Sequence, residues 1–374
     1  MAHQKKKITK NQHFVPQFFQ RFFSYENNEK TIGMFNTQLN LFKSHVPISS
    51  QLSSDYFYGR DGELEEWLSK METDSAPIFR EMWEKEKLPI AKGLNHSKML
   101  HFMIILDLRN PIRFGILNNF EQKLLTTKSK ISEGNLPTDM IPGLQEQQSD
   151  QGKLNSLKST KELVPDLIEL KYKLLKNTTP NPFIISDNPL ILYNQFLEKR
   201  KWKVCSQRDY GLKGMQFFLP LNDSYMLVVY DHNIYKLGTK KQDIVTIDDK
   251  NSIDQLNLLQ FLNSETTVNF NHRASKHYIE TLYEKSKKYK KANNVSIDVH
   301  KMNFTKESDN LSAQMIEMGV SDLNINLTLQ KLNFVSKSSA VKLKSINDQY
   351  RKNIKFRGHT YAVYTFIPIM KKPQ

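Results

Sequence analysis

QFFLPLNDSYMLVVY, residues 216–230, is the stretch that decides the fold class. Two short apolar runs, 216–221 and 225–230, lie on either side of Asn222 and Asp223. Asn and Asp are typical of turns because their side chains hydrogen-bond nearby backbone groups. The pattern therefore predicts two short strands joined by a tight turn, as in an antiparallel hairpin.

The half of the chain that precedes this stretch has the periodicity of helices. Leu64, Trp67, Leu68 and Met71 recur at spacings of three and four residues, which places them on one face of an amphipathic helix. A proline disfavours the helical conformation of the residue before it, so an interruption is expected near Pro111. Helices are predicted over residues 63–86, 97–124 (interrupted near Pro111), 161–176 and 250–286.

Short strands are predicted for most of the remaining second half. The apolar runs 183–185 and 190–192 flank a Ser-Asp-Asn-Pro turn, and the tail, 293–374, alternates polar and apolar residues. We expect an α+β fold with a helical N-terminal half, short antiparallel β-strands in the second half and a mixed, β-rich C-terminal extension. The predicted units are an α+β core over 1–292, with a polar loop or insertion at 126–160, and a basic C-terminal extension over 293–374.

The charge balance of the chain is strongly positive. The 374 residues include 54 Lys and Arg against 39 Asp and Glu, a formal charge of +15. This excess attracts nucleic acid (RNA or DNA) first and anionic lipid second, although a compositional bias of the host genome would produce it without any function. The single cysteine, Cys205, cannot form an intrachain disulfide. No run of about 20 apolar residues predicts a membrane span, so a cytoplasmic location is favoured.

Isolated polar residues carry the functional hypotheses, because the sequence contains no P-loop, dinucleotide-binding glycine motif, paired-cysteine zinc motif or HExxH motif. His13 could act as a general acid or base, contact phosphate, or hydrogen-bond a backbone carbonyl. Glu65 and Glu72 project from one side of the predicted helix, where they could hold a divalent cation such as Mg²⁺ or form a solvated acidic face. Arg109 follows the most apolar helix and needs an anion, which could be Asp107, another acid or a substrate phosphate.

Three further polar residues lie beside or within apolar segments. Asp187 and Asn188 occupy the predicted turn between two strands, where they either serve the turn or display an acid at the edge of a sheet. Asn257 lies on an otherwise apolar helical face, where a buried amide would clasp neighbouring elements or belong to a site. Both alternatives remain open for each residue.

Several aromatic and polar segments occur in a fixed order along the chain. They are NQHFVPQFFQRFF (11–23), DYFYG (55–59), LEEWLSKME (64–72), LDLRNPIRF (106–114), FIISDNP (183–189), FFLPLNDSYML (217–227) and IDQLNLLQF (253–261). In content and order they resemble the bacterial family catalogued as domain of unknown function 4238, over residues 11–280. The polar signature that this resemblance implies is His13, Glu65, Glu72, Arg109, Asp187, Asn188 and Asn257. Relatives occur among bacterial genes linked to phage defence, so the resemblance implies an antiviral role by association, with a phage protein as a trigger.

The leading hypothesis is a nuclease that acts as a defence effector. His13 would be the general acid or base, Asp187 with the two glutamates would hold a metal or activate water, and Arg109 would neutralise phosphate charge. The catalytic set is His13, Glu65, Glu72, Arg109 and Asp187, and the substrate-binding set is Gln12, Asn188 and Asn257. The hypothesis requires that His13, Arg109 and Asp187 share one pocket.

Two other functions are compatible with the same residues. The first is a non-catalytic sensor or nucleic-acid-binding module of a defence system, in which the polar residues form a structural network. The second is an enzyme that acts on a nucleotide or another small phosphorylated molecule, which would require a deeper pocket.

Overall fold

The computed structural model describes residues 9–115, 149–202, 207–292, 295–306, 309–344, 346–352, 354 and 362–369, together with single positions between 122 and 146. Within these ranges the expected α+β fold is confirmed. The longest described helices lie in the N-terminal region, and most of the described strands lie in the second half of the chain.

The two longest of the described helices lie in the N-terminal region. The helices are α1 (Gln17–Arg21), α2 (Glu63–Glu84), α3 (Leu94–Leu108), α4 (Asp150–Ser159), α5 (Val164–Leu167), α6 (Gln195–Lys199), α7 (Lys250–Asn263) and α8 (Lys276–Ser286). Among the helices that the structure describes, none combines the length and the apolar composition needed to cross a bilayer.

The strands are short except for two in the C-terminal region. They are β1 (Asn11–His13), β2 (Thr31–Asn36), β3 (Leu41–Pro47), β4 (Ser53–Asp55), β5 (Lys171–Asn177), β6 (Ile185–Ser186), β7 (Ile191–Tyr193), β8 (Gln216–Pro220), β9 (Tyr225–Tyr230), β10 (Tyr235–Leu237), β11 (Ile244–Ile247), β12 (Thr267–Phe270), β13 (Val295–Lys306), β14 (Asp309–Val320), β15 (Leu332–Phe334) and β16 (Ala362–Ile369).

The largest sheet has five strands in the order β11-β5-β9-β8-β7. Its centre is the hairpin of β8 and β9, which confirms the strands predicted for 216–221 and 225–230. The turn forms as expected, because the Asn222 side-chain oxygen accepts the backbone N–H groups of Ser224 (2.9 Å) and Tyr225 (2.7 Å). Within this sheet β11 and β5 run parallel, and the other neighbours are antiparallel.

Smaller sheets join distant parts of the chain. A four-stranded sheet has the order β3-β2-β12-β6, and two-stranded sheets pair β1 with β4 and β10 with β15. Strands β13, β14 and β16 form a separate antiparallel sheet. The region of the predicted extension also reaches the core, because β15 pairs with β10 and Leu327 is buried in the main apolar cluster. The division at 292 and 293 stays a prediction.

Aromatic side chains hold α1 against the two long helices. Phe19 is fully buried, and its ring packs edge-on against Phe79 of α2 at a centroid distance of 6.4 Å. Phe102 of α3 contacts Phe79 at 4.9 Å and Phe18 at 5.6 Å. Buried aromatic rings contribute about 0.5–1.5 kcal/mol per pair beyond the burial of their area, so this cluster fixes the position of the short helix α1.

Two of the predicted helices are wrong in part. The predicted helix 161–176 ends with α5, and β5 (Lys171–Asn177) follows, because this segment lies between β9 and β11 inside the largest sheet. The predicted helix 250–286 is broken by β12, which pairs with β2 and β6 from distant parts of the chain. In both segments pairing with distant strands overrode the local pattern.

Two other predicted segments have different bounds in the structure. The helix predicted for 97–124 begins at Leu94 and ends at Leu108, with a further helical turn at 111–115, and most of its last nine residues lie outside the described part of the chain. The loop predicted for 126–160 also lies largely outside it, and residues 150–159 are helix α4.

Candidate functional site

A polar cavity of about 610 Å³ lies between α1 and α2, beside the end of β1. Its polar lining consists of His13, Gln17, Arg21, Glu65, Ser69, Glu72, Thr73 and Arg80. Helix α2 supplies most of this lining because residues three, four and seven apart share one helical face. The sequence prediction that Glu65 and Glu72 project from one side of the helix is confirmed by their shared cavity.

His13 lines this cavity and is almost completely buried. The residue is 9% exposed, and its Nε2 atom is buried without a hydrogen bond to any residue that the structure describes. Burial lowers the pKa of the imidazole, and the charge of Arg109 lowers it further, while backbone groups at Ile48 and Ser49 act in the opposite direction. The neutral ring is therefore favoured near pH 7, and a neutral ring nitrogen can accept a proton.

Glu65 lines the same cavity, and its pKa differs from that of an ordinary surface carboxylate. Burial raises its pKa, the neighbouring Glu72 raises it further, and the charge of Arg109 partly offsets both effects. Its protonated form therefore persists to a higher pH than that of a solvated glutamate. A carboxyl group that keeps its proton can act as a general acid.

Arg109 lies behind the cavity wall and is 2% exposed. Its guanidinium donates to Glu72 Oε1 (2.7 Å), to the Tyr58 hydroxyl (2.9 Å) and to the backbone carbonyl of His13 (2.6 Å). The Tyr58 hydroxyl in turn donates to the Arg109 carbonyl (3.0 Å). Of the alternatives left open by the sequence, the partner is thus an acid other than Asp107. The carboxylate of Asp107 instead accepts from the Tyr210 hydroxyl (2.5 Å).

Asp187 is not among the residues that line this cavity. It is 2% exposed, and its carboxylate accepts the backbone N–H groups of Glu265 (2.8 Å), Thr266 (2.7 Å) and Thr267 (2.9 Å). These bonds hold the turn before β7 against the start of β12. The structure therefore does not bring the three residues required by the leading hypothesis into one pocket: His13 and Arg109 meet, and Asp187 is engaged elsewhere.

Asn188 and Asn257 also make local and bridging bonds. The Asn188 side-chain oxygen accepts from Asn110 Nδ2 (3.0 Å), which connects this turn to the residue after Arg109. Asn257 accepts from the Ile184 backbone N–H (3.2 Å) and donates to the Tyr278 hydroxyl (2.9 Å). These contacts match the clasp alternative for Asn257, since they join α7 to the segment before β6 and to α8.

Gln12 directly precedes His13 in the chain, but its side chain does not face the cavity. Its side-chain oxygen accepts the Tyr58 backbone N–H (2.6 Å), and its Nε2 donates to the Gly59 carbonyl (3.1 Å). The side chain is fully buried and does not line the cavity. It fixes the segment that carries Tyr58, and thereby the hydroxyl that Arg109 contacts.

Three residues of the site were not predicted from the sequence. Tyr58 completes the contacts of Arg109, and Arg21 and Arg80 are exposed at the cavity. Arg21 belongs to the aromatic segment 11–23, and Arg80 lies eight residues after Glu72 on the face of α2 that lines the cavity. That spacing was a usable signal, because residues seven or eight apart return to the same side of a helix.

These features define an α+β protein with a polar cavity between a short aromatic helix and a long amphipathic helix. In the described ranges, no group of three or more His, Cys, Asp or Glu side chains is placed to hold a metal ion. The model of the family described as protein of unknown function (DUF4238) matches residues 11–274, and the chain belongs to this family. No curated protein and no solved structure matches the chain.

Replacing Arg109 by methionine should strongly destabilise the fold. The substitution leaves the partly buried Glu72 carboxylate and the His13 carbonyl without their donor, and breaking one side of a buried ion pair costs about 3–5 kcal/mol. Urea unfolding followed by circular dichroism measures this loss. The control is Arg80→Met, whose exposed pair with Glu84 (4.0 Å) should contribute less than about 1 kcal/mol. Equal losses for the two variants would show that the Arg109 network is not structural.

Proposed function

We propose that this protein is a nuclease that cleaves phosphodiester bonds of RNA or DNA in the cavity between α1 and α2. The observation that carries the proposal is the buried, unpartnered Nε2 atom of His13 in the same cavity as Glu65, whose pKa is raised. A neutral imidazole can act as a base, and a carboxyl group that keeps its proton to a higher pH than usual can act as an acid; phosphodiester cleavage uses one of each.

In the proposed mechanism His13 Nε2 accepts the proton of the attacking oxygen, which belongs to water or to a ribose 2′-hydroxyl. The oxygen attacks phosphorus, the bond from phosphorus to the leaving oxygen breaks, and Glu65 donates its proton to that oxygen. Arg21 and Arg80 are exposed at the cavity, where their charge would offset the charge of the phosphate. The formal charge of +15 favours the approach of a polyanion.

Arg109 has a different role in this proposal from the one expected from sequence. Its side chain is 2% exposed, and its donors engage Glu72, Tyr58 and His13. We therefore assign it as a positioning residue that holds the backbone of His13 and tunes the pKa of both proton-transfer groups. Asp187 and Asn257 are assigned to the stability of the fold.

Substituting either proton-transfer group should abolish cleavage while the fold survives. General acid or base catalysis contributes about 10²–10⁴-fold, so His13→Gln and Glu65→Gln should each lower the cleavage rate by that factor. Both replacements retain a polar side chain, and melting temperatures should stay within a few degrees of the parent. Cleavage of labelled RNA and DNA is measured together with thermal unfolding.

The control for these variants is His277→Gln, since His277 is exposed on α8 and does not line the cavity. It should cleave like the parent protein. The competing function, a non-catalytic nucleic-acid-binding module, predicts that the parent binds nucleic acid but leaves it intact under every condition. Intact substrate with the parent protein, both alone and after addition of lysate from phage-infected cells, would refute the nuclease.

The pH dependence of cleavage should be bell-shaped, with its maximum on the acid side of neutrality. Activity rises as His13 loses its proton, at a pH below the usual 6.5 of histidine, because its pKa is lowered. Activity falls as Glu65 loses its proton, at a pH above the usual 4.5 of glutamate, because its pKa is raised. The rate measured between about pH 4 and pH 8 tests this.

Glu65→Gln is the informative variant for this profile. It removes the falling limb, so its residual activity should rise with pH and then level off. A parent profile that is flat across this range, or a variant that retains both limbs, would remove Glu65 from the mechanism.

The occurrence of relatives among bacterial genes linked to phage defence supports a further part of the proposal, namely that the nuclease is a cytoplasmic defence effector triggered by a phage protein. A bacterial strain that expresses the protein should then form fewer plaques on phage challenge than a strain that expresses His13→Gln at an equal level. Equal plaque counts over a broad phage panel would remove the defence role and leave the nuclease untouched.

A further inference from the structure

A second and larger cavity, of about 710 Å³, lies where β5 begins and β9 ends. Its walls come from the first residues of β5, from β10, from the turn that precedes β11 and from the loop 88–91 between α2 and α3. It shares no lining residue with the cavity that contains His13. Its volume falls within the range of about 300–1,000 Å³ that is usual for small-molecule sites.

The charge of this second cavity is strongly positive. Lys171, Lys173, Lys236 and Lys240 line it, and among the residues that the structure describes Asp243 is the only acidic member of its lining. Four lysines in the lining of one cavity favour a ligand with more than one negative charge, because each additional anionic oxygen can pair with another ammonium group. A phosphate group has this charge and several acceptor oxygens.

Of the four lysines, Lys173 is the buried one, and it is 7% exposed. Its Nζ atom donates to the Thr239 carbonyl (2.5 Å), and an ammonium group has three donors. Asp243 attracts Lys173 through its charge but makes no hydrogen bond to it in the part of the chain that the structure describes. Burial lowers the pKa of Lys173. An anion in the cavity would supply the partner that a buried ammonium group needs.

The remaining walls are aromatic and apolar. Tyr172, Tyr230 and Tyr235 line the cavity on the side of the sheet, and Ile90 stands 84% exposed in the opposite loop. The Tyr172 hydroxyl donates to the Pro89 carbonyl (2.7 Å), which fixes the loop to the sheet. Tyr230 and Tyr235 are 4% and 1% exposed, so Tyr172, which is partly exposed, is the ring on which the flat face of a nucleobase can stack.

We propose that this second cavity binds a nucleoside phosphate, with its phosphate on the lysines and its base against Tyr172 and loop 88–91. The ligand is either a free nucleotide or the phosphorylated end of a nucleic-acid strand, which present the same chemical groups. The proposal goes beyond the nuclease and does not depend on it, because the residues of the two cavities differ.

Isothermal titration calorimetry with AMP, adenosine and inorganic phosphate as separate probes tests the proposal. AMP should bind at least about tenfold more tightly than either of the other two, because only AMP uses both the cationic and the aromatic walls. Inorganic phosphate that binds as tightly as AMP would overturn the recognition of the base. Adenosine that binds as tightly would overturn the role of the lysines.

Lys173→Met and Lys236→Met should each weaken AMP binding by about tenfold, the usual effect of losing one charged hydrogen bond. Lys236 is exposed, so its variant keeps the test valid if Lys173→Met fails to fold. The matched control is Lys250→Met, which removes the same charge from the exposed N-terminus of α7 and should leave the affinity unchanged. Equal affinities for all three variants would overturn the site.

Two strands distinguish the sources of the ligand. A phosphorothioate decathymidylate, which resists cleavage, is titrated with a 5′-phosphate and with a 5′-hydroxyl. Binding of AMP alone assigns the cavity to free nucleotides, and stronger binding of the 5′-phosphorylated strand than of AMP assigns it to strand ends. Both results support the proposal. Strands that bind equally with and without the phosphate, together with no binding of AMP, would overturn it.

Discussion

The buried guanidinium of Arg109 is the constraint on which the N-terminal region depends. An arginine side chain that is 2% exposed must satisfy its donors inside the protein, and here it does so with groups from three other segments. The carbonyl of His13 ends β1, the hydroxyl of Tyr58 follows β4, and the carboxylate of Glu72 projects from α2. These segments can pack only in the arrangement that brings all three acceptors to one guanidinium.

The same interaction shapes the chemistry of the neighbouring cavity. The positive charge of Arg109 lowers the pKa of His13 and opposes the rise in the pKa of Glu65. Arg109 binds the backbone carbonyl of His13, and the buried Nε2 atom of the ring has no hydrogen bond to any residue that the structure describes. The ion pair of Arg109 and Glu72 therefore lies in the same network that fixes the backbone of His13, whose side chain lines the cavity.

The sequence predicted part of this site but not which partners its buried polar side chains contact. The helical spacing of Glu65 and Glu72 was enough to place both on one side of α2. It could not show that Arg109 pairs with Glu72, since several acids were available to it. Nor could it show that Asp187 caps three backbone N–H groups at the start of β12. A buried polar residue in a sequence has the same appearance whether it serves a site or satisfies the backbone.

Local patterns by themselves determined the α+β class, the hairpin of β8 and β9 and the amphipathic helix α2, because turn chemistry and periodicity act over a few neighbouring residues. The family was indicated by the resemblance of the ordered sequence segments between residues 11 and 261. Tertiary structure alone decided that residues 171–177 form a strand, and which polar groups meet. Arg109 contacts acceptors 37 and 96 residues away in the chain, at Glu72 and His13. No periodicity specifies contacts of that separation; they exist only once burial forces each donor to find an acceptor.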